Sequence, residues 1–339
     1  MLAALPTLME PTNALAEDPL GPPPLPVGVA LQVALLTRRQ SKVSHICSAS
    51  LLRRMTHLFR FLAYLPLSLM QRLGWCLGWC VWALSPTYRR HFKHNVAAAG
   101  MTWQEARPAV GATGQMLAEL PWLWMRPHHR TLGAMIRWDG AQHLEAALTA
   151  GRGVIVMSPH MGCWEVGAQA IAERFGPRFG PLVALFRPAR KAWLEPLVAQ
   201  ARQRPFLDTV PTSLAGVRTL IRTLRGGGYT AILPDQVPPQ GQGVWAPFFG
   251  RPVYTMTLVA KLAQQSGALV LLSWCERLSP GQGYHIQMVP WDVAAFRDPA
   301  TTPEDAARAI NEAVEHLVRQ APGQYLWGYA RDKQPREGA

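Results

Sequence analysis

His160 closes an apolar run, Gly-Val-Ile-Val-Met-Ser-Pro-His from Gly153, and Glu165 follows five residues later. A histidine with a carboxylate in reach is equipped for general-base chemistry, because the carboxylate fixes the ring tautomer and stabilises the imidazolium that forms. Gly162, between them, leaves room for a substrate to approach the backbone. A second polar pair, Asp235-Gln236, closes another apolar run that starts at Tyr229. The competing reading of His160 and Glu165 is a solvated structural pair, since structural ion pairs also perturb titration. A second strand end bearing polar groups favours a site. Cys163, three residues from His160, is a conceivable nucleophile for a thioester intermediate, but a Cys-His dyad leaves Glu165 without a role.

These residues need elements to hold them. Val154 to Met157 has the length and β-branched content of a buried strand, and Trp164 to Phe175 reads as a helix. His160 then sits in the turn at the strand's C-terminal end, where open α/β sheets place their ligands. Further strands are expected at Leu182 to Phe186, Tyr229 to Leu233, Ala268 to Ser273 and Tyr284 to Val289. Helices are expected at Ala141 to Ala150, Ala192 to Arg204, Ser213 to Arg225, Thr255 to Ser266 and Pro303 to Gln320. Thr102-Trp-Gln-Glu105 is a capping box, and Pro108 imposes a kink or an early break on the helix it opens. The alternation predicts an α/β fold, a mixed or mainly parallel sheet flanked by helices.

The His-x4-Glu turn, the Asp-Gln strand end, Phe248-Phe249-Gly250-x-Pro252 leading into Thr255-x-Thr257, and the closing Tyr325-Leu-Trp-Gly-Tyr-Ala-Arg331 occur in this order. Together they resemble the late acyltransferases of lipid A biosynthesis, lauroyl or myristoyl transferases within the lysophospholipid acyltransferase superfamily, over roughly Leu58 to Lys333. The chain departs from many members at Pro159, where they have Gly, and at Cys163, where they have Asn. The resemblance implies a glycerol-3-phosphate-acyltransferase-like fold and acyl transfer from acyl carrier protein to a hydroxyl of a lipid A precursor. No covalent intermediate, metal or cofactor is implied. His160 and Glu165 are then catalytic, and Arg187, in the Arg-Pro step after the Leu182 to Phe186 strand, binds a phosphate or carboxyl oxygen of the acceptor. Asp235 is expected either to orient a sugar hydroxyl or to cap the following loop. Backbone N–H groups near Gly162 and Cys163 are expected to hold the oxyanion. The rival readings are a relative that acylates another glycolipid, a phospholipid or an aminolipid, and a non-catalytic membrane-associated binding protein, against which the intact His160 and Glu165 argue.

Composition narrows the partners. The 339 residues are 49% hydrophobic, enough for one catalytic domain with an N-terminal attachment. A formal net charge of +13 implies acidic partners. Nucleic acid is suggested by charge alone, with no finger, RNP-like or helix-turn-helix signal. From Pro19 to Gln104 there is no Asp or Glu, while Arg38, Arg39, Lys42, Arg53, Arg54, Arg60, Arg72, Arg89, Arg90 and Lys93 fall there. That basic block surrounds the most apolar stretch, Leu58 to Leu84. Its longest uncharged run, Leu73 to Tyr88, falls short of the ~20 residues of a clean transmembrane helix. Trp75, Trp79 and Trp82 share one helix face, ahead of Arg89, Arg90 and Lys93. An interfacial helix at an anionic membrane, the cytoplasmic face of an inner membrane, fits this pattern. An ordinary core helix with its tryptophans inward is the alternative. The five cysteines show no zinc spacing and are expected to be reduced. The division expected is a Pro-rich segment 1–54, disordered or a non-native extension with Met55 a plausible start; a membrane-associated helical segment 55–100; and an acyltransferase α/β domain 101–339. A signal peptide is not expected, because no Lys or Arg precedes the apolar Leu25 to Leu36 stretch.

Overall fold

Val154–Met157 is apolar at every position and buried at every position, the pattern of a parallel strand covered on both faces. In the computed structural model, which describes residues 55–186, 198, 203–292, 294–298 and 300–337, this strand lies at the centre of the sheet. The strands are β1 (Ile136–Asp139), β2 (Val154–Met157), β3 (Leu182–Phe186), β4 (Leu207–Pro211), β5 (Tyr229–Ile232), β6 (Gly243–Phe248), β7 (Arg251–Met256), β8 (Leu269–Arg277) and β9 (Tyr284–Pro290). Seven of them form one sheet in the order β1-β9-β8-β2-β5-β3-β4. Every neighbouring pair is parallel except the β8–β9 hairpin. This is the mixed, mainly parallel sheet the alternation predicted.

The helices are α1 (55–64), α2 (Leu67–Leu84), α3 (Pro86–Ala98), α4 (Trp103–Ala106), α5 (Pro108–Trp124), α6 (Ala141–Thr149), α7 (Trp164–Phe179), α8 (Leu214–Arg225), α9 (Leu258–Ser266), α10 (Ala294–Arg297) and α11 (Pro303–Gln320). The expected capping box is formed, with Thr102 and Glu105 bonded reciprocally. Pro108 breaks the helix as its missing N–H requires, and it opens α5 as the first residue. The sheet carries an apolar core on each side, one built around α11 and α9, the other around α6 and α7.

The sequence pattern missed several elements and misplaced one helix start. Strands β1 and β4, short and at the sheet edges, were not legible, nor was the β6–β7 hairpin. The hairpin turn is Phe249-Gly250, both at positive φ (46° and 74°), the geometry of a two-residue primed turn without the usual Asn-Gly signature. Thr255 and Met256 consequently belong to β7, and the helix expected from Thr255 begins at Leu258. The helix expected over 192–204 falls almost wholly outside the described residues, as does the segment 1–54.

Helix α2 crosses α5 at close range because both carry glycines at the contact. A Cβ on Gly74 would meet the Gln115 backbone at 2.6 Å, and one on Gly78 the Val110 carbonyl at 2.2 Å. Trp79 and Trp82 turn inward onto Trp103 and Phe92, with ring centroids 5.1–6.4 Å apart. Trp79 and Trp82 are therefore packing residues, while Trp75 on the same face is 38% exposed. The residues left exposed on the other side are Leu69, Leu73, Leu77, Val81 and Leu84, a stripe spaced by four and finally three positions. Among the described residues no helix is long and apolar enough to cross a membrane.

Candidate active site

Strands β2 and β5 are parallel neighbours whose register pairs Met157 with Ile232. His160 and Asp235 each lie three residues beyond that pair, so the sheet delivers them side by side at its C-terminal edge. Asp235 Oδ1 stands 2.7 Å from His160 Nδ1, and Oδ2 accepts the His160 backbone N–H at 3.0 Å. The Asp235 side chain is 3% exposed and the His160 side chain 16%, so the carboxylate is sealed behind a ring that solvent still reaches.

Burial alone would raise the Asp235 pKa; the charge of the facing His160, its two hydrogen bonds and the charge of Arg331 outweigh it and hold the carboxyl below its ordinary value. Asp235 is thus ionised at neutral pH and accepts the hydrogen bond that Nδ1–H donates. The other ring nitrogen, Nε2, faces the Gln236 side-chain amide at 3.1 Å. With the amide N–H donating, Nε2 carries the lone pair, which is the tautomer a general base needs. The Trp164 ring packs edge-on against the imidazole at 4.9 Å and limits its rotation.

Asp235 was expected to touch a sugar hydroxyl or cap a loop; in the structure its two oxygens contact His160, and the Tyr325 side chain bonds the same carboxylate. Gln236 was legible as a polar strand-end residue and not as a partner of the ring. Glu165 lies in the first turn of α7, half-buried, where the helix dipole favours a negative charge. Arg187 lies outside the described residues.

The oxyanion expectation at Gly162 and Cys163 is overturned by hydrogen bonding. The Gly162 N–H donates to the Gln324 carbonyl at 2.9 Å and the Cys163 N–H to the Cys275 carbonyl at 2.8 Å, so neither is presented to a substrate. Gly162 is required for a different reason than substrate access: its φ is +61°, and a Cβ would lie 2.0 Å from the Cys275 carbonyl oxygen. Cys163 is 2% exposed, and its thiol donates to Glu119 at 3.2 Å. Burial and the Glu119 carboxylate push that thiol well above its ordinary pKa, the opposite of what a nucleophile requires.

Behind the turn, Glu119 is wholly buried and accepts from Arg277 (2.7 and 2.6 Å), Gln71 (2.8 Å) and Tyr284 (3.1 Å) as well as Cys163. Arg277 Nη2 also approaches the Gly162 carbonyl at 3.4 Å. The C-terminal segment straps the turn from the other side: Met161 bridges Tyr325, and the Leu326 N–H donates to the His160 carbonyl at 3.1 Å. Tyr329 accepts the Val237 N–H at 3.0 Å, tying the same segment to the loop after Asp235. The closing aromatic motif of the sequence thus holds the backbone of both strand ends, that of His160 and that of Asp235. No cluster of three or more His, Cys, Asp or Glu able to hold a metal ion occurs among the described residues.

Comparison with known proteins identifies the family. The family model for bacterial lipid A biosynthesis acyltransferases matches residues 45–333. A lipid A biosynthesis lauroyltransferase of Escherichia coli K12 is 27% identical over 81% of this chain and 88% of its own length. A lipid A biosynthesis acyltransferase of Haemophilus influenzae is 28% identical over 56% of either chain. A phosphatidylinositol mannoside acyltransferase of Mycobacterium tuberculosis CDC 1551 is 29% identical over 50% of this chain and 52% of its own. With the family model matched over residues 45–333, the chain belongs to the bacterial lipid A biosynthesis acyltransferase family.

Proposed function

We propose that the protein transfers a fatty acyl chain of lauroyl or myristoyl type from acyl carrier protein to a hydroxyl of a lipid A precursor. The observation that carries this reading is the 2.7 Å contact of His160 Nδ1 with the Asp235 carboxylate, which leaves Nε2 as the ring nitrogen turned toward a substrate hydroxyl. The acceptor hydroxyl displaces the Gln236 amide from Nε2 and gives up its proton there as its oxygen attacks the thioester carbonyl carbon. The amide, freed, donates to the carbonyl oxygen as negative charge develops on it, the part first sought in the Gly162 and Cys163 backbone. Collapse breaks the C–S bond, and the leaving thiolate takes the proton back from Nε2, so the products are an ester and a free pantetheine thiol. Asp235 stabilises the transient imidazolium, and Glu165, in the adjacent first helical turn, adds its negative charge to that stabilisation. Arg187 is assigned to an anionic oxygen of the acceptor.

The partners follow from charge and surface. A net charge of +13 suits an acidic carrier protein and a phosphorylated acceptor. We assign the exposed stripe Leu69, Leu73, Leu77, Val81 and Leu84, flanked by Arg60, Arg72, Arg89, Arg90 and Lys93, to the surface of an anionic membrane, the cytoplasmic face of the inner membrane. A second acceptor class, another membrane glycolipid, is favoured by the likeness to the mannoside acyltransferase. Mass spectrometry of lipid A from a deletion strain separates the two. Loss of one secondary acyl chain, restored by the wild-type gene and not by His160→Ala, supports the lipid A reading; an unchanged lipid A with an altered glycolipid supports the second.

A further inference from the structure

A cavity of about 540 Å³ opens between α2, α5, the end of β8 and the turn before Tyr325. Neither His160, Asp235 nor Gln236 lines it. Its walls include Trp75, Cys76 and Ala112 on the apolar side and Arg72, Arg277 and Gln324 on the polar side. The volume is in the range of ligand pockets, ~300–1,000 Å³, and the mixture of an indole wall with a few polar groups is the usual composition of one.

Its charge is one-sided. Arg72 is exposed and has no ion-pair partner among the described residues. Arg277 spends Nε and Nη2 on Glu119, while its buried Nη1 has no hydrogen-bond partner among the described residues. Two guanidinium-bearing residues and no carboxylate line the cavity, so an anionic oxygen is the complementary ligand group. The neighbouring apolar wall asks for an alkyl portion on the same ligand. The cavity also adjoins the exposed leucine stripe of α2, the face that an acyl chain would meet first. From these features we infer that the cavity is a second lipid site, distinct from the catalytic one, that takes the phosphodiester headgroup and proximal chain of an anionic glycerophospholipid. Gln324 and Arg277 both bond Gly162, so the bound lipid lies against the back of the His160 turn.

Two thiols on α2 provide the test without mutation. Cys76 lines the cavity, Cys80 lies one turn further on and does not, and both are exposed, whereas Cys163 and Cys275 are buried. Full-length protein is alkylated with N-ethylmaleimide, with and without monomeric dihexanoyl-phosphatidylglycerol, and each cysteine is followed by peptide mass spectrometry. Cys76 alkylation is expected to slow about tenfold when the lipid is at roughly ten times its Kd, with Cys80 unchanged. Arg72→Gln is expected to raise the required lipid concentration about tenfold through loss of one charge-assisted contact. Absence of Cys76 protection, or equal protection of both thiols, overturns the site. Equal protection by dihexanoyl-phosphatidylcholine overturns its anionic selectivity, and full protection by inorganic phosphate alone overturns the lipid in favour of free phosphate. Because the probe is a soluble monomer, failure of α2 to bind vesicles would leave this result standing, and failure of this result would leave the acyl-transfer reading standing.

Discussion

Asp235 holds His160 at two points, the ring Nδ1 at 2.7 Å and the backbone N–H at 3.0 Å, across 75 positions of sequence. One carboxylate therefore fixes both where the histidine's main chain runs and which ring nitrogen carries the proton. The pairing is a consequence of strand register, Met157 against Ile232, and needs no loop to fold back.

The two acidic residues near the ring should separate on substitution. Asp235→Asn preserves shape but favours the wrong tautomer, and kcat should fall about 10³–10⁴-fold with little change in KM. Glu165→Gln should cost less, about 10–10²-fold, if its part is charge stabilisation alone. Steady-state kinetics of both purified variants checks the order.

The depressed Asp235 pKa also predicts a pH dependence of stability. A carboxyl whose folded pKa lies below its unfolded value contributes stability that is present above the unfolded pKa and lost as pH falls through the folded one. The stability difference between wild type and Asp235→Asn should hold from neutrality down to about pH 4, the range of an unperturbed aspartate, and shrink below it. Urea unfolding midpoints measured between those limits and about pH 3 test this.

Gln236 gives a third test. If its amide moves from Nε2 to the carbonyl oxygen during attack, Gln236→Ala should lower kcat by about 10²–10³-fold and leave KM nearly unchanged, as for loss of an oxyanion donor. An amide that only fills space in the resting site would leave kcat intact.

The Glu119–Arg277 pair is 1% and 2% exposed at its side chains, so removing one partner strands a buried charge. Arg277→Met should destabilise the protein by about 3–5 kcal/mol, measured by chemical denaturation. The same network fixes Cys163 and Gly162, so the lost stability should come with lost activity.

What was legible in the sequence follows from how local each signal is. The strand of Val154 to Met157, the helix Pro303–Gln320 and the capping box at Thr102 are written in short-range pattern and stand as read. The histidine's position at a strand end was equally local. Its link to Asp235 was not, because only the order of strands in the sheet makes β2 and β5 neighbours. Sequence proximity pointed to Glu165, and sheet topology supplied Asp235. The Gly162 and Cys163 N–H groups were read as free because their acceptors, Gln324 and Cys275, lie more than a hundred residues away. The tryptophan face of α2 was read as either interfacial or inward, because an aromatic stripe carries no label for which side its neighbours occupy. The glycines at 74, 78, 111 and 114, which let α5 approach, are the signal that would have oriented it.

His160 as the base is best examined by giving purified full-length protein an acyl-acyl carrier protein and a phosphorylated, hydroxyacylated disaccharide, and comparing wild type with His160→Ala by mass spectrometry of the product. Wild type should form the ester, and His160→Ala should unfold at the same midpoint yet transfer at least about 10³-fold more slowly. Transfer at the wild-type rate by a folded His160→Ala would remove the imidazole from the reaction.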